Sequence, residues 1–492
     1  MAQDLSQWLE RHARFAPRAP ALRFNGQEIS YAALAERIRH AAAVLAERGV
    51  APGDAVAWLG LNSPDLLVLL FACARLGALF VPLNWRLAPP EHARVLSDCP
   101  PRLLFVEPAF AAHAAAIGTT VTMLEAAALA GAAGAPPPPA GDEDSPLLLC
   151  YTSGSTGAPK GVVLPQRALQ WNAVNSAHMH DLTSTDRVLT TLPLFHVGGL
   201  NIQTTPALHA GACVSLHARF DPEAALDALE RERITLTVLV PAQLEAMLAL
   251  PRWRHADLSS LRMIATGSTI VPAALVHRVA ERGVPLVPVY GSTETCPVAA
   301  YLRAGDAVAR AGAAGWPALH GELCIADDAG VELPPGQDGE ILVRGPSVAS
   351  GYWNAPEETA RTFRDGWYHS GDIGHLDDDG CLHVIGRRKD LIISGGENVY
   401  PAEVENVLLE CPAIAEACVV GRPDPRWGEA VVAAVVLKTG CRLTETETLA
   451  LLNGRIARYK HPREVRFLDS LPRSALGKVL KEAVRAAVLE SR

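Results

Sequence analysis

Apolar segments with helical spacing alternate with short β-like runs along the first half of the chain. This rhythm restricts the fold to helices laid over a parallel or mixed sheet. Ser30 is placed to cap a helix whose apolar face is Tyr31, Leu34, Ile38 and Leu45, with Gly49 closing it. A strand over Ala55–Leu59 and a helix over Pro64–Leu76 follow. The alternation returns as a helix over Pro222–Glu232, a strand over Ile234–Val240, a helix over Pro272–Arg282 and a strand over Pro285–Val289. Residues 130–145, AGAAGAPPPPAGDEDS, interrupt it and read as an exposed linker between subdomains. From about Gly339 the texture turns to short strands and turns, and the residues after Arg387 read as a small α/β domain.

Charge narrows the partners. The 492 residues carry 44 Lys+Arg against 53 Asp+Glu, a net charge of −9 that weighs against a dedicated nucleic-acid binder. The excess is uneven: residues 387–492 hold 17 Lys+Arg and 14 Asp+Glu, a cationic cap beside an acidic body. None of the ten cysteines forms a CxxC pair, so zinc-ribbon and thioredoxin readings have no support and reduced thiols are expected. The amino-terminal stretch lacks an apolar signal core, and the greasiest run, 66–74, is too short to span a bilayer. A cytoplasmic monomer or homodimer without a transmembrane segment is the expectation.

The strongest chemical signal is Tyr151-Thr-Ser-Gly-Ser-Thr-Gly-Ala-Pro-Lys-Gly161, directly after the apolar run Leu147–Cys150. Gly154, Gly157 and Gly161 let backbone N–H groups turn toward an anion. Thr152, Ser153, Ser155 and Thr156 add hydroxyl donors, and Lys160 adds charge. It is not a Walker loop, because Gly161 follows Lys160 where Ser or Thr is required. The segment reads as a phosphate loop.

That loop resembles the phosphate loop of the adenylate-forming superfamily, which includes acyl-CoA synthetases, luciferases and peptide-synthetase adenylation domains. The remaining motifs follow in the family's order: Leu192–Gly199 (LPLFHVGG), Tyr290–Thr295 (YGSTET), Gly339–Pro346 (GEILVRGP), Trp367–Asp372 (WYHSGD), Gly386–Glu405 and Pro472–Lys478 (PRSALGK). The resemblance spans essentially the whole chain and is of the acyl-CoA synthetase type. It implies an α/β fold with α+β elements: a large N-terminal adenylation domain, residues 1–386, of βα subdomains with mixed sheets plus a β-rich subdomain. A small mobile C-terminal domain, residues 387–492, would complete it.

The implied chemistry is attack of a carboxylate on ATP to give an acyl-adenylate and pyrophosphate, then transfer of the acyl group to coenzyme A. ATP, Mg²⁺ and coenzyme A are therefore the expected small molecules, with a carboxylic acid as substrate. By resemblance Lys478 bridges carboxylate and α-phosphate, Glu294 and Thr156 hold the metal, and Thr293 touches the phosphates. Asp372 would accept from the ribose hydroxyls, Arg387 would contact ribose or phosphate, and Tyr290 beside Gly291 would stack on adenine. His196 would border the acyl pocket and orient the carboxylate. Gly395, Gly396 and Glu397 would line the pantetheine channel, Lys460 and Arg463 would meet the CoA phosphates, and Lys389 would be the hinge.

Residues assigned to the acyl pocket by the same analogy are His196, Gly198, Gln203, Val240, Gly267, Val289, Gly291 and Val298. They are mostly small or aliphatic, with no Arg for a second carboxylate and no Asp for an amino group. An apolar monocarboxylic acid, either a medium- or long-chain fatty acid or an aromatic acid, is expected. The small residues, Gly199, Gly267 and Gly291 among them, are expected to leave room for the chain or ring. A carrier-loading enzyme or an o-succinylbenzoate–CoA ligase is the alternative. One stretch departs from the family: Thr266-Gly-Ser-Thr-Ile-Val-Pro272 stands where Gly-Gly-Ala-Pro is common.

Overall fold

The computed structural model describes residues 4–131, 134–153, 159–394, 397–424, 427–474 and 477–490. Four sheets organise them. The first has nine strands, with a parallel centre formed by Leu286–Tyr290, Met263–Thr266, Leu236–Val238, Arg187–Thr190, Cys213–Leu216 and Pro20–Phe24. Antiparallel strands close both of its edges. The second has seven strands and is parallel around Ala55–Leu59, while Pro146–Ser153, Pro159–Pro165 and Gly351–Tyr352 form an antiparallel flank. The third joins Glu322–Ala326, Gly339–Arg344, Trp367–Leu376, Phe363–Arg364 and Leu382–Arg387. The fourth, drawn wholly from residues 392–467, is a five-stranded sheet built on the pair Ile414–Asp424 and Gly428–Leu437.

Local chemistry explains the elements that hold the first two sheets together. Ser63 accepts a hydrogen bond from the Leu66 N–H, Pro64 opens the helix Pro64–Leu76, and Gly77 closes it in the left-handed region. Every residue of that helix except Asp65 is buried. A helix apolar on all faces has to be enclosed, and this one packs in a single core with Leu22 of the first sheet and Val56 and Phe80 of the second. The helix Tyr31–Glu47, capped by Ser30 through the Ala33 N–H, joins the same core.

Three expectations change. Residues 130–145 do not connect subdomains: they lead from Thr122–Glu125 to Pro146–Ser153, two strands of one sheet. The segment is also anchored, since Arg75 donates to the Pro137 carbonyl and receives the Ala140 N–H on its own. The strand expected over Ile234–Val240 is limited to Leu236–Val238, because Arg233 sits in a left-handed turn before it and Val240 already caps the helix Pro241–Leu248. The helix expected over Pro272–Arg282 spans Ala273–Ala280.

Candidate active site

The parallel strands of the first sheet end side by side, and the segments that leave their carboxyl ends carry the predicted site. Tyr290 ends Leu286–Tyr290, Gly267 follows Met263–Thr266, Val240 follows Leu236–Val238, and Thr191 to His196 follow Arg187–Thr190. Open α/β sheets bind ligands at this rim, because the loops there are free to diverge. The third sheet closes over it. Strand register places Asp372 opposite Arg387, whose Nε lies 2.9 Å from the Asp372 carboxylate, and the Tyr290 hydroxyl donates to the same carboxylate at 3.0 Å.

Electrostatics at this junction are asymmetric. Burial raises the Asp372 pKa above its usual range, although Arg387, Tyr290 and Lys478 oppose that shift. The Arg387 guanidinium is pushed up, first by Asp372. Lys478 is exposed along its side chain, but its ammonium end reaches into the junction, where burial and then Arg387 lower its pKa and Asp372 pulls the other way. Two cations therefore converge on one carboxylate, leaving positive charge in excess where two anionic substrates would meet.

His196 starts the turn Val197–Gly199, and its Nδ1 accepts from the Gly198 N–H at 3.2 Å. That bond places the proton on Nε2. Burial, reinforced by Lys478, lowers its pKa to about 4, so the ring is a neutral donor at physiological pH. An unfolded histidine takes up a proton near 6.5, so between those values the unfolded chain binds more protons and stability falls as pH drops. His180 and His209 are lowered to about 4 as well, and share this slope. We expect His196→Gln to shallow the loss of stability from pH 6.5 to 4 in denaturant titrations; an unchanged slope would contradict the neutral assignment.

The second sheet supplies the phosphate side. Its edge strand Gly351–Tyr352 pairs with Pro159–Pro165, setting Tyr352 opposite Val162. The Tyr352 hydroxyl donates to Glu294 at 2.8 Å, and Lys160 lies 5.7 Å from the Tyr352 ring centre. Lys160 is paired with Glu358, and its pKa is lowered by burial and then by Arg361. The Glu294 main-chain oxygen accepts from the Ala349 N–H at 2.8 Å, and its carboxylate makes no hydrogen bond but that from Tyr352 among the described residues, so its second oxygen could meet a hard cation. Thr293 is buried beside it, and Thr152 bonds the Lys160 carbonyl across the strand pair. Gly154, Ser155, Thr156, Gly157, Gly395 and Gly396 lie outside the described residues, as do the side chains of Ser153 and Glu397.

Lys460 and Arg463 form a separate basic group near the fourth sheet. Lys460 is held by Glu403 at 2.7 Å, and the Arg463 guanidinium lies 4.3 Å over the Trp427 ring. The expectation that Gly199, Gly267 and Gly291 leave open space changes at their own side-chain positions. A Cβ on Gly199, Gly267 or Gly291 would strike the main-chain oxygen of Pro193, Val289 or Pro297 at 2.3, 2.7 or 1.7 Å. The side-chain positions of these glycines are thus filled by neighbouring backbone; at Gly198 the nearest atom belongs to the His196 ring instead, 3.3 Å away. Val289 and Val298 are packed into the main core, and Val240 lies against its edge.

Tyr352, Glu358 and Arg86 were not evident from sequence. The Arg86 guanidinium lies over the rings of Trp85 and Phe195, next to His196. Only strand pairing and loop docking reveal them, and no local motif would have.

The chain is similar to known proteins over its whole length. The sequence profile described as AMP-binding enzyme matches residues 9–353, and that described as AMP-binding enzyme C-terminal domain matches residues 403–478. The chain is 57% identical to an indoleacetate–CoA ligase of Aromatoleum aromaticum over 500 aligned residues, covering 99% of this chain and 98% of the relative. It is 46% identical to a feruloyl-CoA synthase of an Amycolatopsis species, covering 98% and 99%. The o-succinylbenzoate coenzyme A synthetase of Bacillus subtilis, solved with ATP and magnesium ion, superposes with a TM-score of 0.89 at 34% identity, covering 98% of this chain and 99% of that one.

Proposed function

This chain belongs to the AMP-binding enzyme family and is an acid–thiol ligase, and from that premise we propose that its acid is aromatic. The observation that carries the reading is whole-length similarity to two ligases whose named acids bear rings, at 57% and 46% identity. The test is a panel of arylacetic, cinnamic and fatty acids with ATP and coenzyme A. Arylacetic or cinnamic thioesters should form fastest, and a preference for long-chain fatty acids would overturn the reading.

The mechanism follows from charge placement. The substrate carboxylate attacks the α-phosphorus of ATP, a P–O bond forms, and pyrophosphate leaves with the electron pair of the broken bond. Both reactants are anions, so catalysis is largely a matter of holding them together against repulsion. Lys478 supplies the positive charge between them, and Arg387 and Asp372 fix the nucleotide end. Neutral His196 donates Nε2–H toward the acyl side without adding charge. Glu294 and Thr156 would hold Mg²⁺, which neutralises charge on the phosphates when bound.

The CoA thiol, as its thiolate, then attacks the adenylate carbonyl, forming the C–S bond and expelling AMP. For that step the C-terminal domain, residues 387–492, turns about Lys389, withdrawing Lys478 and bringing in the loop Gly395–Glu397. Lys460 and Arg463 would receive the CoA phosphates. The short helical turn Arg388–Asp390 directly follows the last strand of the third sheet, which suits it to absorb the dihedral change. Lys389→Pro should slow thioester formation about tenfold or more while sparing adenylation, because proline fixes φ at the pivot. Equal loss in both half-reactions would remove the hinge from Lys389. The ten free thiols support a reducing compartment, the cytoplasm.

A further inference from the structure

The helix Pro356–Thr362 docks on the edge strand Gly351–Tyr352, and the fit is close. The Thr359 hydroxyl accepts from the Tyr352 N–H at 2.9 Å. A Cβ on Gly351 would lie 2.4 Å from the Thr359 side chain, at a φ of 143° that favours glycine. The Tyr352 ring meets Phe363, the residue after the helix, edge-on at 5.7 Å. Backbone docking therefore fixes where the side chains of this helix point. Glu358 points at Lys160, with its Oε1 2.5 Å from the ammonium and both side chains 20% exposed. Arg361, one helical turn on and 70% exposed, pairs with the other oxygen of the same carboxylate.

This pair lies on the phosphate side of the site. The Lys160 ammonium sits 5.7 Å from the Tyr352 ring centre, and the hydroxyl of that ring donates to Glu294. Strand register sets Lys160 opposite Thr152, at the far end of the glycine-rich segment. The ammonium that a triphosphate would draw on is thus already engaged by a carboxylate. Glu358 and a phosphate oxygen are both anionic acceptors, and each weakens the hold of Lys160 on the other. Exchange between them is easy, because Arg361 stays on Glu358 when Lys160 leaves and no carboxylate is stranded.

We propose that Glu358 is a positioning residue that competes with the departing phosphates of ATP for Lys160, so that ATP and pyrophosphate are held loosely and pyrophosphate can leave. This rests on the reading of Tyr151–Gly161 as the phosphate loop and adds the group that tempers its charge. A lysine with no competing acid would hold ATP and pyrophosphate alike, which favours binding without favouring turnover. With Glu358 in place, the ammonium returns to a carboxylate as pyrophosphate departs.

The test is equilibrium binding of ATP, pyrophosphate and AMP, each with Mg²⁺ and without acid, measured by calorimetry. Wild type is compared with Glu358→Gln, Lys160→Met and the double variant. Glu358→Gln should bind ATP and pyrophosphate about 3–10-fold more tightly, the effect of removing one part-buried ion pair. AMP, which lacks the departing phosphates, should bind as before. Glu358→Ala removes the same charge and should repeat the result, so the test does not depend on one variant folding. Lys160→Met should weaken ATP and pyrophosphate, and adding Glu358→Gln to it should restore little, because no ammonium is left to compete for. Unchanged or weaker binding of both ligands in folded Glu358→Gln protein would overturn the inference, provided that Lys160→Met still weakens them; the phosphate-loop reading would then stand. Equal tightening in the Lys160→Met background would also overturn it, since Glu358 would then act by general repulsion. If Lys160→Met binds ATP and pyrophosphate as the wild type does, the phosphate-loop reading and this inference fall together.

Discussion

Lys478→Ala is expected to reduce acyl-adenylate formation by about 10²–10³-fold, the effect of removing one preorganised charge from a developing anionic centre. Attack of coenzyme A on supplied acyl-adenylate should be largely retained. The expectation derives from the junction described above, where the Lys478 ammonium acts on His196, Asp372 and Arg387 together. Its own pKa is lowered, so ionised Lys478 gains nothing for the fold at that position and its loss should leave the melting temperature nearly unchanged. Single-turnover pyrophosphate release and thioester formation from preformed adenylate, measured separately, check the two halves. Equal loss in both would show that Lys478 is not confined to the first step.

Asp372→Asn carries the second large effect. Asp372 holds Arg387 at 2.9 Å and accepts from Tyr290 at 3.0 Å while remaining 8% exposed. Its raised pKa shows that burial costs the carboxylate more than Arg387 and Tyr290 return. Replacing it with a neutral amide should therefore cost little stability, and thermal unfolding should move by only a few degrees. Catalysis should respond differently. An amide presents one acceptor where the carboxylate presents two, and it releases Arg387 to repel Lys478. We expect kcat/KM for ATP to fall about 100-fold, corresponding to the loss of one or two charge-assisted hydrogen bonds. A large drop in melting temperature with unimpaired ATP use would make Asp372 a structural residue instead.

What could be read in the sequence divides along physical lines. The helix Pro64–Leu76 was legible to the residue because Ser63, Pro64 and Gly77 are local signals acting on adjacent backbone groups. The Asp372–Arg387 and Glu294–Tyr352 contacts were not, since strand register decides them and register is a property of the assembled sheet. The space beside the glycines was not legible for a related reason. A sequence records the absent side chain of Gly291 but not the Pro297 carbonyl that fills its place. Residues 130–145 misled through composition: Pro and Gly mark irregular backbone, and only the bonds to Arg75 show it fastened within one sheet.

The central claim, that one chain converts an aromatic acid to its CoA thioester through an adenylate, is tested most directly by product stoichiometry. Purified protein is incubated with ATP, Mg²⁺, coenzyme A and indole-3-acetate, and pyrophosphate, AMP and thioester are quantified in the same samples. The account predicts equal amounts of all three, and, without coenzyme A, a single burst of pyrophosphate with the acyl-adenylate retained on the protein. Formation of ADP and phosphate, or sustained pyrophosphate release with coenzyme A left unconsumed, would contradict it.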